Sequence, residues 1–418
     1  MKKKKNNLPE KNKAIKIVKS VVPSPRKIKI RVVGLGGGGA AIVSEMAVVL
    51  KGVSFTAADT DIKTFRRIRR DVKPFHFGEK ITNGFGTGLN PDLAQKAAIE
   101  EKERIARLFK DCDLVILVGC LGGGVASGAG PVFAEVASEQ KAITIGIFTL
   151  PFSFEGDKKI HLEKKAVVSL TEKLSGIIAV PNERIFLLVD KKTALKKSFS
   201  LVNQTFAFWI NDLLQVIAKP GLINIDFADL KAILEKRGKK LFFGQAVAQG
   251  PLRAEEVAKN IFQSPFFDGP PKNVKKILFN ITGGADLGIK EVETVSNAIA
   301  NLNPKAKIIF GITESSASKG KIRIILLAVS DDENGENNEA GERVVVKAQP
   351  GASAGDKPLK NKTKRKIKKQ VALAEGEEKK PMRRSALEVK KADEEEKDRE
   401  WAPEAEWEVP TFLRNKPE

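Results

Sequence analysis

The chain has 418 residues, 42% of them apolar, with 73 Lys or Arg against 52 Asp or Glu for a net charge of +21, and only two cysteines and two histidines. The length and apolar content exclude a single small module, because at least one large core can be buried. Cys112 and Cys120 are too few for a disulfide framework or a thiolate metal cluster, and His76 with His161 cannot furnish a histidine metal site or a Ser/His/Asp triad, so catalysis must use carboxylates or the backbone.

In chain order, residues 1–26 are a basic extension without the apolar stretch of a secretory signal, and no run of 18 apolar residues follows anywhere, so membrane insertion is not expected and the cytoplasm is. From 27 to 190, short apolar runs (KIRVVGLG, SFTAAD, DLVILVGC, AITIGIFTL, IIAV) alternate with helical stretches. That rhythm predicts a Rossmann-like α/β domain, a parallel sheet with helices on both faces. Over 191–219, Leu195, Phe199, Val202, Phe206, Trp209, Leu213 and Val216 recur in steps of three and four, which predicts one long, mostly buried central helix. Residues 220–331 add a smaller second α/β domain ending in KILFNITGG, KIIFGIT and KIRIILLAVS. Residues 332–400 are polar and read as a disordered linker, and apolar residues return in 401–418 as a short docking peptide. The first 30 residues and the run Lys357–Lys369 hold much of the positive charge, so it reads as solvated tails and nucleic acid is not expected as a partner.

Two glycine clusters carry the chemistry. Gly34 and Gly36, Gly37, Gly38, Gly39 follow a predicted strand and open a helix, where backbone N–H groups can approach a phosphate. This cluster alone also fits GxGxxG, with Asp59 and Asp61 following as in dinucleotide enzymes. A second cluster, Gly122, Gly123 and Gly124 leading through Val125, Ala126 and Ser127 to Gly128, follows another strand end and implies a longer phosphate chain gripped from two sides.

The segments GLGGGG, GTGLNP, LGGGVASGAGPVFAEVA, PFSFEG, PNERI, PGLINIDFADL, NITGGADL and EVPTFLR resemble, in order, the landmarks of the tubulin-like FtsZ family of GTPases. The resemblance implies that Gly36–Gly39, Gly122–Gly124, Ser127 and Gly128 cradle the phosphates of GTP or GDP with Mg2+. It places Gly88 and Asn90 in the loop beside the γ-phosphate, Glu155, Lys159 and Asn182 at the ribose and base, Phe199 stacked on guanine, and Asn203 at a base-recognising position. The chain departs from the family at Ala41, Lys159, Gln204 and at Val125 and Ala126, where the family has a Gly-Thr-Gly-Thr-Gly run, so slow hydrolysis is expected.

In PGLINIDFADL, Asp226 and Asp229 lie three apart at a predicted helix start, a spacing that also suits capping of helix N–H groups. The resemblance implies that Asn224, Asp226 and Asp229 reach the nucleotide of the next subunit and polarise water there. It further implies head-to-tail filaments at the mid-cell division site, and a membrane-tethering adaptor bound through Trp407 to Arg414. The drifted phosphate loop leaves open an accessory member that binds nucleotide and joins filaments without hydrolysis.

Overall fold

The computed structural model describes residues 26–331 apart from 188, 190–191, 219–220 and 264–269. The basic extension up to residue 25, Pro220, the linker and the Trp407–Arg414 peptide lie outside the described residues.

The first half alternates strand and helix. It runs β1 (Ile30–Leu35), α1 (Gly36–Val49), β2 (Ser54–Asp59), a 3-10 helix (Ile62–Arg67), β3 (Val72–His76), α2 (Glu79–Thr82), α3 (Pro91–Glu100) and α4 (Lys102–Phe109). There follow β4 (Leu114–Cys120), α5 (Gly124–Gly128), α6 (Gly130–Glu139), β5 (Ile143–Leu150), α7 (Asp157–Lys173) and β6 (Gly176–Pro181). These six strands are parallel in the order 3-2-1-4-5-6. Central strands β4 and β5 are buried nearly end to end, which is why their sequences are continuous apolar runs rather than alternating ones. Their side chains divide between two cores: Val32, Ile116 and Val118 pack toward α1, whereas Val33, Val115 and Leu117 pack with Phe77, Ile105, Phe109 and Phe133 on the other face.

The long helix α8 (Leu195–Ala218) lies on the α1 side. Val202, Phe206, Trp209, Leu213 and Val216 of its apolar stripe are buried, but Leu195 and Phe199 at its start are exposed, so the stripe runs past the core edge. Beyond it come α9 (Phe227–Leu234), β7 (Lys239–Gln249), α10 (Arg253–Asn260), β8 (Val274–Gly283), α11 (Ile289–Ala300), β9 (Lys307–Glu314) and β10 (Lys321–Asp331). β10 pairs antiparallel with both β7 and β8, whereas β8 and β9 are parallel across α11. The two halves share one ten-stranded sheet, joined between β6 and β7 at the pair Ile177↔Lys240. Sequence patterning did not single out β3, a short strand carrying Pro74 and two exposed positions at the sheet edge, or β7, which is only half-buried.

The C-terminal half is closed by the buried Arg253. Its guanidinium donates to Glu291 Oε1 and Oε2 at 2.6 and 2.9 Å, to Asp286 Oδ2 at 2.6 Å and to the Asp286 carbonyl at 2.9 Å. These bonds hold both carboxyls below their ordinary range. Arg253→Ala is expected to cost about 2–3 kcal/mol, less than for a fully buried pair because Asp286 is 40% exposed. A carboxyl depressed in the folded state contributes stability that is lost as pH falls through its folded value. The variant should therefore lose less further stability than the parent on acidification below about pH 4, as read by urea denaturation.

Candidate functional site

In a doubly wound sheet the strand order reverses between β1 and β4, and a ligand binds where the loops leaving those two strands diverge. Both glycine clusters stand there. β1 runs straight into α1, whose N-cap is Leu35 with no side-chain cap and no acid in the first turn, and Gly123 likewise precedes α5 without a side-chain cap. The first-turn N–H groups of α1 are thus left for an anionic ligand.

The cleft between them has a volume of about 390 Å³. Gly36–Gly38 and Gly122–Ala126 form its floor, Asp59, Asp61 and Thr64 one side, Phe85–Leu89 a second, and Pro151, Glu155, Lys159 and Asn182 the third. Asp59 is a shaping residue: Oδ1 accepts from the N–H groups of Thr60 and Asp61, and Oδ2 from the Thr64 hydroxyl at 2.7 Å. Burial pushes its carboxyl up despite those donors. Asp61 Oδ1 accepts from the Lys63 N–H, and Oδ2 has no partner among the described residues. Opposite, Glu155 accepts from the Phe152 N–H at 2.9 Å and from Lys159 Nζ at 2.7 Å. Burial raises its carboxyl, but the ammonium and the N–H outweigh that and hold it below its ordinary range.

A second candidate element, the acidic loop, lies at the far end of α8. Ile223 forms an antiparallel bridge with Ile312, and Ile225 is buried against Gly311. The Asn224 side chain accepts from the Gly221 N–H. Asp226 caps α9 and exchanges bonds with Asp229: each backbone N–H donates to the other's carboxylate at 2.9 Å. One oxygen of each acid is consumed by this cap, and the other is unpartnered among the described residues. α8 begins beside the cleft, with Phe199 edge-on to Phe152 at 6.3 Å, and its 24 residues span about 36 Å. The loop and the cleft of one chain are therefore at opposite ends of the molecule.

A family model described as "Tubulin/FtsZ family, GTPase domain" matches residues 29–190, and one described as "FtsZ family, C-terminal domain" matches residues 240–330. Among solved structures the chain is similar to an empty FtsZ dimer of M. jannaschii, with 30% identity, a TM-score of 0.64 and coverage of 73% of this chain and 89% of that one. It is also similar to a mutant FtsZ of M. jannaschii, with 31% identity, a TM-score of 0.64 and coverage of 73% and 92%. The chain belongs to the tubulin/FtsZ family. A CetZ2 protofilament from Haloferax volcanii shares the fold, with 16% identity, a TM-score of 0.62 and coverage of 72% and 92%.

Within this FtsZ-like frame the expected nucleotide residues fall into two groups. Gly36, Gly37, Gly38, Gly88, Gly122, Gly123, Gly124, Glu155, Lys159 and Asn182 line the cleft. Gly39, Asn90, Ser127, Gly128, Phe199 and Asn203 stand behind or beside it. A Cβ on Gly39 would meet the Val118 carbonyl at 2.7 Å, and one on Gly128 the Pro91 carbonyl at 1.9 Å, so these glycines permit close packing of backbone on backbone. The Ser127 hydroxyl accepts from the Gly122 N–H at 3.0 Å and holds the second loop's shape. Asn90 caps α3 by accepting from the N–H groups of Asp92 and Leu93, and Asn203 is buried on α8. Asp59 and Asp61, noted in the sequence only as the acids of a dinucleotide-type pattern, line the cleft, and so do Thr64, Phe85 and Cys120, which the sequence did not mark; Asp59 and Cys120 each end a parallel strand, with Asp61 and Thr64 just beyond. The Cys120 thiol, pushed up by burial, faces Gly38.

Two glycine substitutions separate packing from ligand contact. Gly128→Ala should cost about 1–3 kcal/mol of stability and lower nucleotide affinity together. At Gly123 a new Cβ would meet nothing nearer than 3.6 Å, so Gly123→Ala should leave the thermal midpoint unchanged while weakening a fluorescent GTP analogue in titration.

Proposed function

We propose that this protein binds GTP in the two-glycine cleft, assembles head to tail, and hydrolyses GTP where the Asn224–Asp229 loop of one copy closes the cleft of the next. The observation that carries the reading is the separation of cleft and acidic loop along α8, which stops a single chain from completing its own site. Apolar side chains at both ends support stacking: Phe85 is 80% exposed at the cleft rim with Phe154 and Leu89, and Leu222 is 72% exposed on the loop. A bound guanine would lie over Phe199, beside Asn182 and near Asn203.

The phosphates would meet the N–H groups of the two glycine loops, which stabilise negative charge without reorganising. Among the described residues no group of three or more acidic, histidine or cysteine side chains gathers, so Mg2+ would be held mainly by phosphate oxygens with the free Asp61 oxygen as a protein donor. Bound there, Mg2+ would neutralise charge building on the phosphates. The unpartnered oxygens of Asp226 and Asp229, with Asn224, would orient the attacking water. Location at the mid-cell division site in the cytoplasm, and tethering through Trp407–Arg414 to a membrane adaptor, complete the proposal.

An accessory, non-hydrolysing role is favoured by one feature: Val125 stands where the family carries threonine and Ala126 where it carries glycine, and a Cβ on Gly36 would already lie 3.3 Å from Val125, so the phosphate floor has lost a hydroxyl and has little slack. The test is phosphate release from GTP and Mg2+ against protein concentration, read beside light scattering. Release should begin only at the concentration where scattering rises. Asp229→Asn keeps an oxygen for the Asp226 N–H and removes the charge, so it should still polymerise with release reduced by at least about 100-fold. GTP binding and polymerisation without release from the parent protein would assign the accessory role.

A further inference from the structure

The positive charge is not confined to the tails. Residues 332–418 carry twenty basic and twenty acidic side chains, so the Lys357–Lys369 block is balanced by its surroundings. Residues 1–26 carry nine basic and one acidic, and residues 27–331 carry 44 basic and 31 acidic, a net +13 on the folded body.

Part of that excess is organised on one edge of the sheet. Among the described residues β3 is the terminal strand, bonded only to β2, and Pro74 on it lacks an N–H, which suits an unpaired edge. The segment leading into it, Lys63–Lys73, reads KTFRRIRRDVK, with six cations and one acid. Phe65 and Ile68 anchor it against the core on the α1 face, and Arg66, Arg67, Arg69, Arg70 and Lys73 stand exposed. Asp71 is occupied by Arg69, which donates to it from Nε at 3.0 Å and Nη2 at 3.2 Å. Arg66, Arg67, Arg70 and Lys73 have no acidic partner among the described residues.

The other face of the same strand also carries guanidinium groups, interspersed with Glu100, Glu101 and Glu103. Phe75 packs into the second core, Arg104 lies 5.1 Å over its ring, donates to the His76 carbonyl at 3.1 Å and is ion-paired with Glu101, and the exposed Arg107 follows three residues on. The edge is thus a ridge with guanidinium groups on both flanks.

We infer that this β3 ridge binds the phosphate backbone of duplex nucleic acid without reading its sequence. A ridge charged on both flanks can address the two phosphate rows that border a groove, whereas a flat lipid surface would meet only its crest. Guanidinium groups suit the task because they grip phosphate oxygens in a bidentate fork. The ridge is remote from the acidic loop, so stacking of copies would repeat it along a filament and raise avidity.

The test is fluorescence anisotropy of a labelled short duplex with the full-length, GDP-loaded protein between about 50 and 200 mM salt. The triple variant Arg66→Ala, Arg67→Ala, Arg70→Ala should bind at least ten-fold more weakly and show a log–log salt slope shallower by about 2.7, at an unchanged thermal midpoint. The equal-charge control Lys164→Ala, Lys165→Ala, Lys290→Ala should change affinity less than about two-fold. Absence of duplex binding by the parent protein overturns the inference, as do equal losses in the two triples. So does binding abolished by deleting residues 1–26 but not by the arginine changes. Retained duplex binding by the arginine triple, with loss of sedimentation on phosphatidylserine vesicles, would reassign the ridge to lipid.

Discussion

The length and burial of α8 is the constraint on which the rest depends. Its apolar stripe is gripped between α1 and the C-terminal half, with Ser200 donating to Glu45 across the α1 contact at 2.7 Å and Gln245 donating to the buried Asp212 at 2.7 Å from β7. A packed helix does not shorten or bend to bring its ends together. The cleft at its start and the acidic loop at its end are therefore fixed apart, and chemistry that needs both must draw on two molecules.

The same economy of backbone governs the cleft. At Gly39 and Gly128 the missing Cβ lets main chain press on main chain, whereas at Gly37 and Gly123 a Cβ would have room and the open backbone faces the cleft. A glycine-rich motif therefore mixes residues that build the loop with residues that can meet a ligand. Ser127 and Asn90 belong to the builders, because their polar atoms satisfy N–H groups of the loop and of α3. Val125 and Ala126 are buried in this tightly packed floor, so the departures from the family pattern fall where backbone and phosphate would approach most closely.

Charge follows a separate logic. Arg253 is enclosed by carboxylates and serves the fold. The arginines beside β3 are presented outward with one acid among them, at an edge that no other strand of the described residues covers. An edge so charged also resists pairing with another sheet, which removes one route to aggregation.

Sequence by itself determined the parallel α/β core, the long helix, both glycine turns and the capped acidic loop, because period, strand-end glycines and Asp-x-x-Asp spacing are local signals. It could not show that the strands of both halves join in one sheet through Ile177 and Lys240, since strand pairing is a long-range choice. Nor could it separate lining glycines from packing ones, or place Thr64, Phe85 and Cys120 at the cleft, because these depend on which strand ends become neighbours. Net charge was legible from composition, but its gathering on both flanks of β3 was decided only when Phe65 and Phe75 packed into opposite cores.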